Sequence, residues 1–115
     1  MLTRNNNNLE TPYFQYFPEE VEKNIQRFNK FVDNGIDVFY AVKANNYAPM
    51  IQRFVESGYG FDVASKEEIG FLMEQGARAE RLCFSAPTKL VADLACASSL
   101  GIQYYAFDSE DEVEK

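Results

Sequence analysis

The sequence predicts an α/β fold of about four consecutive βα units, the N-terminal half of a (βα)8 TIM-type barrel. Three observations predict it. Apolar strand-like runs begin at residues 38, 60, 82 and 103, each followed by a stretch with helical patterning. Gly58, Gly76 and Gly101 stand just past three of those helical stretches, the usual place for a residue that ends a helix. Polar residues gather after every strand: Lys43-Ala44-Asn45-Asn46, Asp62, Ser85 and Asp108-Ser109. In a barrel all such strand ends meet on one face, and that face carries the chemistry. The alternation implies parallel strands joined by right-handed crossovers. A complete flavodoxin-like sheet is the alternative. A half barrel fits better because the βα pattern is still running at Lys115. The expectation is therefore a partial domain over residues 11–115, preceded by a leader over residues 1–10.

Each element has its own signal. Asn5-Asn6-Asn7-Asn8 is a low-complexity run, expected to be disordered. Thr11–Phe17 is aromatic-rich and short, and is predicted to be a strand. Pro18 suits a first helical position, and Glu19, Glu20 and Glu22 suit the positive end of that helix. Val21, Ile25, Phe28 and Val32 repeat at helical spacing, and Gly35 after Asn34 closes the helix. Strands are then expected at Val38–Val42, Gly60–Val63, Leu82–Ser85 and Gln103–Phe107. Helices are expected near Ala48–Ser57, Lys66–Gln75 and Leu90–Leu100, with an acidic helix start at Ser109–Lys115.

Composition excludes several functions. The 115 residues suit one small domain, and 46% apolar content is enough for a core. A net charge of −7 argues against nucleic acid and against anionic membrane surfaces. No apolar run approaches the ~20 residues that span a bilayer, and no apolar h-region marks a signal peptide. Two cysteines, Cys83 and Cys96, make neither a disulfide framework nor a metal cluster. With no histidine, a zinc site or a Ser-His-Asp triad is disfavoured in this segment. A reduced cytoplasmic setting is expected.

Lys43 is the most informative residue. The run Ile36–Val42 stops at this one amine. An ammonium is costly to bury, and a buried lysine readily becomes the neutral nucleophile that Schiff-base chemistry needs. The plain reading is a strand-end lysine whose stem reaches out to water. Asp62 likewise has two readings, a carboxylate beside that amine or a cap on the following helix. Glu68 is either a second such carboxylate or an early helix-turn acid favoured by the dipole.

Four ordered blocks carry a resemblance: Phe39-Tyr40-Ala41-Val42-Lys43-Ala44-Asn45, Phe61-Asp62-Val63-Ala64-Ser65-Lys66-Glu67-Glu68, Phe84-Ser85-Ala86-Pro87-Thr88-Lys89 and Phe107-Asp108-Ser109-Glu110. Together they resemble the N-terminal part of the barrel of the pyridoxal-phosphate-dependent ornithine, lysine, arginine and diaminopimelate decarboxylases. This is the fold-type III group, whose barrel is also that of alanine racemase. The Gly60–Lys66 block is most similar to the ornithine decarboxylase branch.

The resemblance implies that Lys43 forms the Schiff base with the cofactor, pyridoxal 5'-phosphate. It implies that Asp62 and Glu68 lie near that lysine and tune its charge, and that Ala41 is the small residue against the cofactor. It implies decarboxylation of a basic amino acid, ornithine or lysine, of the polyamine-biosynthesis type. A homodimer or a complementary C-terminal chain is the implied partner, and the strand before the first helix is implied to join a C-terminal β-domain. The family's stacking histidine and glycine-rich phosphate cradle have no counterpart in these residues. A non-catalytic, truncated homologue that binds a partner or handles cofactor is the alternative function. A racemase-type reaction on the same barrel is a further one.

Overall fold

The computed structural model describes residues 10–115, so the asparagine run lies outside the described residues. Helix α1 spans Pro18–Asp33, with Glu19 and Glu20 in its first turn and Asn34 as its C-cap. Then follow β1 (Phe39–Ala41), α2 (Ala48–Glu56), β2 (Gly60–Val63), α3 (Lys66–Glu74), β3 (Leu82–Phe84), α4 (Val91–Ser99), β4 (Tyr104–Tyr105) and α5 (Glu110–Val113). Short 3-10 turns at Val42–Ala44 and Ala79–Arg81 complete the order. Every strand and helix expected from Pro18 onward is present, each trimmed by no more than a few residues. Gly58 and Gly76 follow α2 and α3 with φ of 78° and 93°. A side chain is strained in that region, which is why glycine ends these helices.

The four strands pair in parallel in the order β1-β2-β3-β4. That order bears on the choice of fold. A flavodoxin-like sheet reverses direction at a switch point, so its strands are not in sequence order. Consecutive order is the pattern of a barrel wall.

Register separates two faces. Tyr40, Phe61 and Leu82 share one row, and Val63, Phe84 and Tyr105 share another. Successive side chains on a strand alternate sides. Phe61, Val63, Leu82 and Phe84 are all buried, together with Ile51 and Phe54 from α2, Ile69 and Leu72 from α3 and Ala97 from α4. Their face is the helix-covered core. Between those rows lies Ala41, Asp62, Cys83 and Tyr104, on the opposite face. None of these four is buried.

At the N-terminal end of that second face, the Phe39 ring lies across Gly60. A Cβ on Gly60 would come within 2.5 Å of the ring and 2.8 Å of the Arg81 carbonyl. The Arg81 guanidinium sits 5.6 Å from the Phe39 ring centroid and donates to Asp37 at 2.9 Å and to the Gly58 carbonyl at 2.8 Å.

One expectation fails. Pro12–Phe17 forms no strand: no other strand among the described residues takes up its backbone hydrogen bonds. It runs instead along a cleft at the C-terminal end of β1, with the Tyr16 ring 4.7 Å from that of Tyr47. No helix among the described residues is long and apolar enough to cross a membrane.

Candidate active site

Lys43 is carried by the 3-10 turn Val42–Ala44, directly after β1. The apolar run ends at Val42, which is 2% exposed and anchors the turn. Lys43 itself is exposed. Of the two readings of its environment, burial of the amine is not the one found: the turn carries Lys43 off the end of the sheet and its stem reaches water. Its side chain makes neither a hydrogen bond nor an ion pair with the described residues. It lines a cleft of about 1060 Å³ together with Glu68, Asn45, Tyr47, Phe71 and Tyr16.

Two hydrogen bonds hold the far side of this turn. The Tyr40 hydroxyl donates to the Asn45 carbonyl at 3.0 Å, and the Tyr47 backbone N–H donates to Asn45 Oδ1 at 3.0 Å.

Ala41 and Asp62 are register partners on the sheet face that holds no helix-side core. Cys83 pairs with Asp62 in the same row. The Oδ1 of Asp62 is buried and has no hydrogen-bond partner. Such an atom bears an uncompensated cost of leaving water, and it calls for an explanation. Burial pushes the Cys83 thiol up from its usual range, and the Asp62 carboxylate pushes it further; Lys89 opposes them. Cys83 is thereby held as a thiol rather than as a nucleophilic thiolate.

The two readings of Asp62 and Glu68 now separate. Helix α3 is capped by Ser65, whose Oγ accepts from the Glu68 N–H at 3.2 Å. Glu68 Oε2 in turn accepts from the Ala64 N–H at 2.7 Å. This is a close relative of the Ser-x-x-Glu capping box, shifted by one residue. The capping therefore belongs to Ser65 and Glu68, and Asp62 has no part in it. Glu68 does both things, bracing its helix and lining the Lys43 cleft. Ala41, Lys43, Asp62 and Glu68 thus gather at the C-terminal ends of β1 and β2, with Lys43 and Glu68 in the cleft and Ala41 and Asp62 on the adjoining sheet row.

A second Ser-x-x-Glu box, unremarked in the sequence, opens α5. Ser109 Oγ accepts from the Glu112 N–H at 3.3 Å. Here the glutamate turns to a neighbouring loop. Glu112 Oε1 accepts from the Lys89 N–H at 2.9 Å and lies 3.4 Å from Lys89 Nζ, while Lys115 Nζ donates to Oε2 at 2.6 Å. Lys89 Nζ also donates to the Ala106 carbonyl, and Lys115 Nζ to the Lys89 carbonyl. Both Lys89 and Glu112 are buried. The cluster ties the loop after β3 to the loop after β4.

The Lys115 hydrogen bond, helped by the Lys89 N–H, holds the Glu112 carboxyl below its usual range. A carboxyl depressed in the fold contributes stability that is present above its unfolded pKa and is lost as pH falls through the folded one. Acid should thus weaken this tie between the loops as pH falls below the ordinary glutamate range. We expect Glu112→Gln to melt earlier than the parent at neutral pH, with the two melting temperatures converging toward pH 3. Thermal unfolding followed across pH 3–7 checks this, and curves that stay parallel throughout would reject it.

Comparison with known proteins adds the following. The family model for the pyridoxal-dependent decarboxylases, pyridoxal binding domain, matches residues 18–115. The ornithine decarboxylase of Mus musculus is 42% identical over 77 residues, 67% of this chain and 17% of that protein. The antizyme inhibitor 2 of Xenopus laevis is 38% identical over 77 residues, again 67% of this chain and 17% of that protein. Among solved structures, the ornithine decarboxylase of Entamoeba histolytica superposes with a TM-score of 0.75 at 36% identity, over 84% of this chain and 29% of that one. The chain thus spans under a third of the length of each of these proteins.

Proposed function

This chain belongs to the pyridoxal-dependent decarboxylases, through their pyridoxal binding domain, and on that premise we propose that it serves the decarboxylation of a basic amino acid, with ornithine first, and that Lys43 is the amine that holds the cofactor. Residues 11–115 are the barrel part of that domain on this reading. The observation that carries it is Lys43 on a braced turn at a strand's C-terminal end, in a cleft shared with Glu68. Asp62 supports it from the adjoining row, where its buried Oδ1 lacks a partner. A carboxylate left in that state suits a cationic group arriving on the same face.

These residues fit the aldehyde end of pyridoxal phosphate. Lys43 offers the amine, Ala41 leaves room on the sheet face, and Asp62 and Glu68 offer negative charge. When bound, the cofactor supplies an electron sink for the carbanion left by departing CO₂. The chain's own residues do the rest of what is proposed here. Lys43 would hold the group by its amine at the aldehyde end, and Asp62 would place a negative charge beside that amine. The Phe14–Tyr16 segment and Phe71 line the cleft. Loss of CO₂ from ornithine leaves a diamine, so we place the reaction in polyamine formation. We propose a cytoplasmic enzyme acting as a dimer.

A second reading has one observation behind it. The Xenopus relative is named for inhibiting antizyme and not for decarboxylation. In that reading the chain belongs to a protein whose work is partner binding. Borohydride reduction of the full chain with pyridoxal phosphate distinguishes the two: pyridoxyl mass on the Lys43 peptide supports the first reading, and its absence favours the second.

Asp62→Ala is the accompanying test. Asp62 caps no helix, so the ~0.5–2 kcal/mol that follows loss of a cap is not expected. Removing an unpartnered buried oxygen should leave the melting temperature unchanged or slightly raised. The rate of trapping at Lys43 and single-turnover decarboxylation should fall about ten-fold or more, since roughly 1.4 kcal/mol of charge stabilisation is worth that factor. A variant that melts earlier at unchanged rates would return Asp62 to a structural role.

A further inference from the structure

We propose that Tyr40 is a positioning residue for Lys43: its hydroxyl fixes the exit of the turn from which the lysine amine projects. The inference rests on the reading of Lys43 given above and adds a residue to it.

The geometry is local and complete. Tyr40 is the middle residue of β1, and Asn45, five residues on, is where the 3-10 turn Val42–Ala44 gives way to extended backbone. Between them the chain has one hydrophobic anchor, the buried Val42 side chain. A turn pinned at its start alone would be free to swing at its far end. The Tyr40 hydroxyl closes it by donating to the Asn45 carbonyl at 3.0 Å. Asn45 is held from its other side by the Tyr47 N–H on Oδ1. Lys43 therefore sits in a loop fastened to the sheet before and after it.

Packing does not account for the hydroxyl. The Tyr40 ring lies on the helix-covered face, 4.7 Å from the Phe54 ring and 6.5 Å from the Phe61 ring, which it meets edge-on. A phenylalanine would make the same ring contacts. What tyrosine adds is one donor at the rim of the core, and buried tyrosine hydroxyls take a partner where one is within reach. Here the partner is the backbone of the lysine's own turn. Burial pushes the Tyr40 hydroxyl up from its ordinary range, the bond to Asn45 opposing it, and like any phenol it is a donor at neutral pH. Small displacements of a reacting group are costly: about 1 Å can take 100-fold from a rate.

The test compares the full chain with Tyr40→Phe, which keeps the ring and removes the donor, and with Phe54→Leu, which loosens the ring packing and keeps the donor. Two readouts are taken for each protein. One is the rate at which pyridoxal phosphate and borohydride label Lys43, by peptide mass. The other is reductive methylation of every lysine against pH with formaldehyde and cyanoborohydride, which needs no bound cofactor; exposed Lys66 serves as the internal reference. In Tyr40→Phe we expect labelling of Lys43 to slow about ten-fold and its methylation profile to shift relative to Lys66, at a nearly unchanged melting temperature. In Phe54→Leu we expect an earlier melt and parent-like labelling and methylation of Lys43. Parent-like behaviour of Lys43 in Tyr40→Phe overturns the proposal, and so does an equal effect in both variants or a collapse of Tyr40→Phe stability. If pyridoxal phosphate labels other lysines of the parent but not Lys43, the cofactor reading fails instead, and the methylation profiles still decide the role of Tyr40.

Discussion

On the proposed reading, Lys43→Ala should abolish pyridoxyl labelling at this position and lower decarboxylation by about a thousand-fold or more, while leaving the fold intact. The two halves of that expectation have separate causes. Lys43 is exposed and its side chain bonds to none of the described residues. Substitutions at such surface sites usually stay within ±0.5 kcal/mol. The loss of rate comes from chemistry. An amine held at the reacting carbon replaces an encounter with one from solution, and well-oriented groups of this kind reach effective molarities of about 10⁵ M and above. No other lining residue among the described ones offers an amine: the rest of the cleft presents carboxylates, amides, aromatic rings and small apolar side chains. Lys43→Arg sharpens the result. Arginine keeps the positive charge but stays protonated above pH 12 or so, and cannot act as the nucleophile. If charge alone mattered, arginine would restore function; if the free amine matters, arginine should be as inactive as alanine. Peptide mass after borohydride reduction, thermal unfolding and turnover in the full chain together check the claim. Unchanged labelling of the remaining protein at turnover near the parent's would overturn it.

Much of this was legible in the residues, and the reasons differ by part. The strands and helices were readable because local signals agree: glycines with left-handed φ follow the helices, and apolar runs of strand length lie between them. Parallel pairing followed from the alternation, but the consecutive order did not, because a flavodoxin-like sheet alternates in the same way. Ala41, Lys43, Asp62 and Glu68 came as a set from the family resemblance; the fold adds that Asp62 lies opposite Ala41 on the next strand and that Glu68 shares a cleft with Lys43.

Three further things were not readable. The 3-10 turn that lifts Lys43 into solvent has no strong local signature in Val42-Lys43-Ala44. Pro12–Phe17 has strand-like composition, but a strand also needs a partner, and composition does not reveal one. The different fates of Glu68 and Glu112 are tertiary. Both stand three residues after a serine, yet one returns to its own helix start and the other reaches Lys89, 23 residues away in sequence. Only the positions of the neighbouring loops decide that.

Phe61→Ala should be the most damaging core substitution in the block that also carries Asp62. Phe61 is completely buried, in the row between Tyr40 and Leu82, with the Tyr40 ring edge-on to its own. Truncation of a buried phenylalanine costs about 3–5 kcal/mol, the lost transfer energy plus the cavity left behind. Set against the ~5–15 kcal/mol that holds a typical domain together, this is a large share. The comparison with its neighbour makes the claim specific. Phe61 and Asp62 are adjacent in sequence but point to opposite faces. One should lose stability on truncation and the other should lose rate. Phe107 gives the control for residue type: it is a phenylalanine too, but 65% exposed, and Phe107→Ala should cost far less. Urea unfolding of the three variants beside the parent measures this. A Phe61→Ala midpoint close to that of Phe107→Ala would mean that the helix-covered face is not the core described here, and the assignment of Asp62 to the opposite face would fall with it.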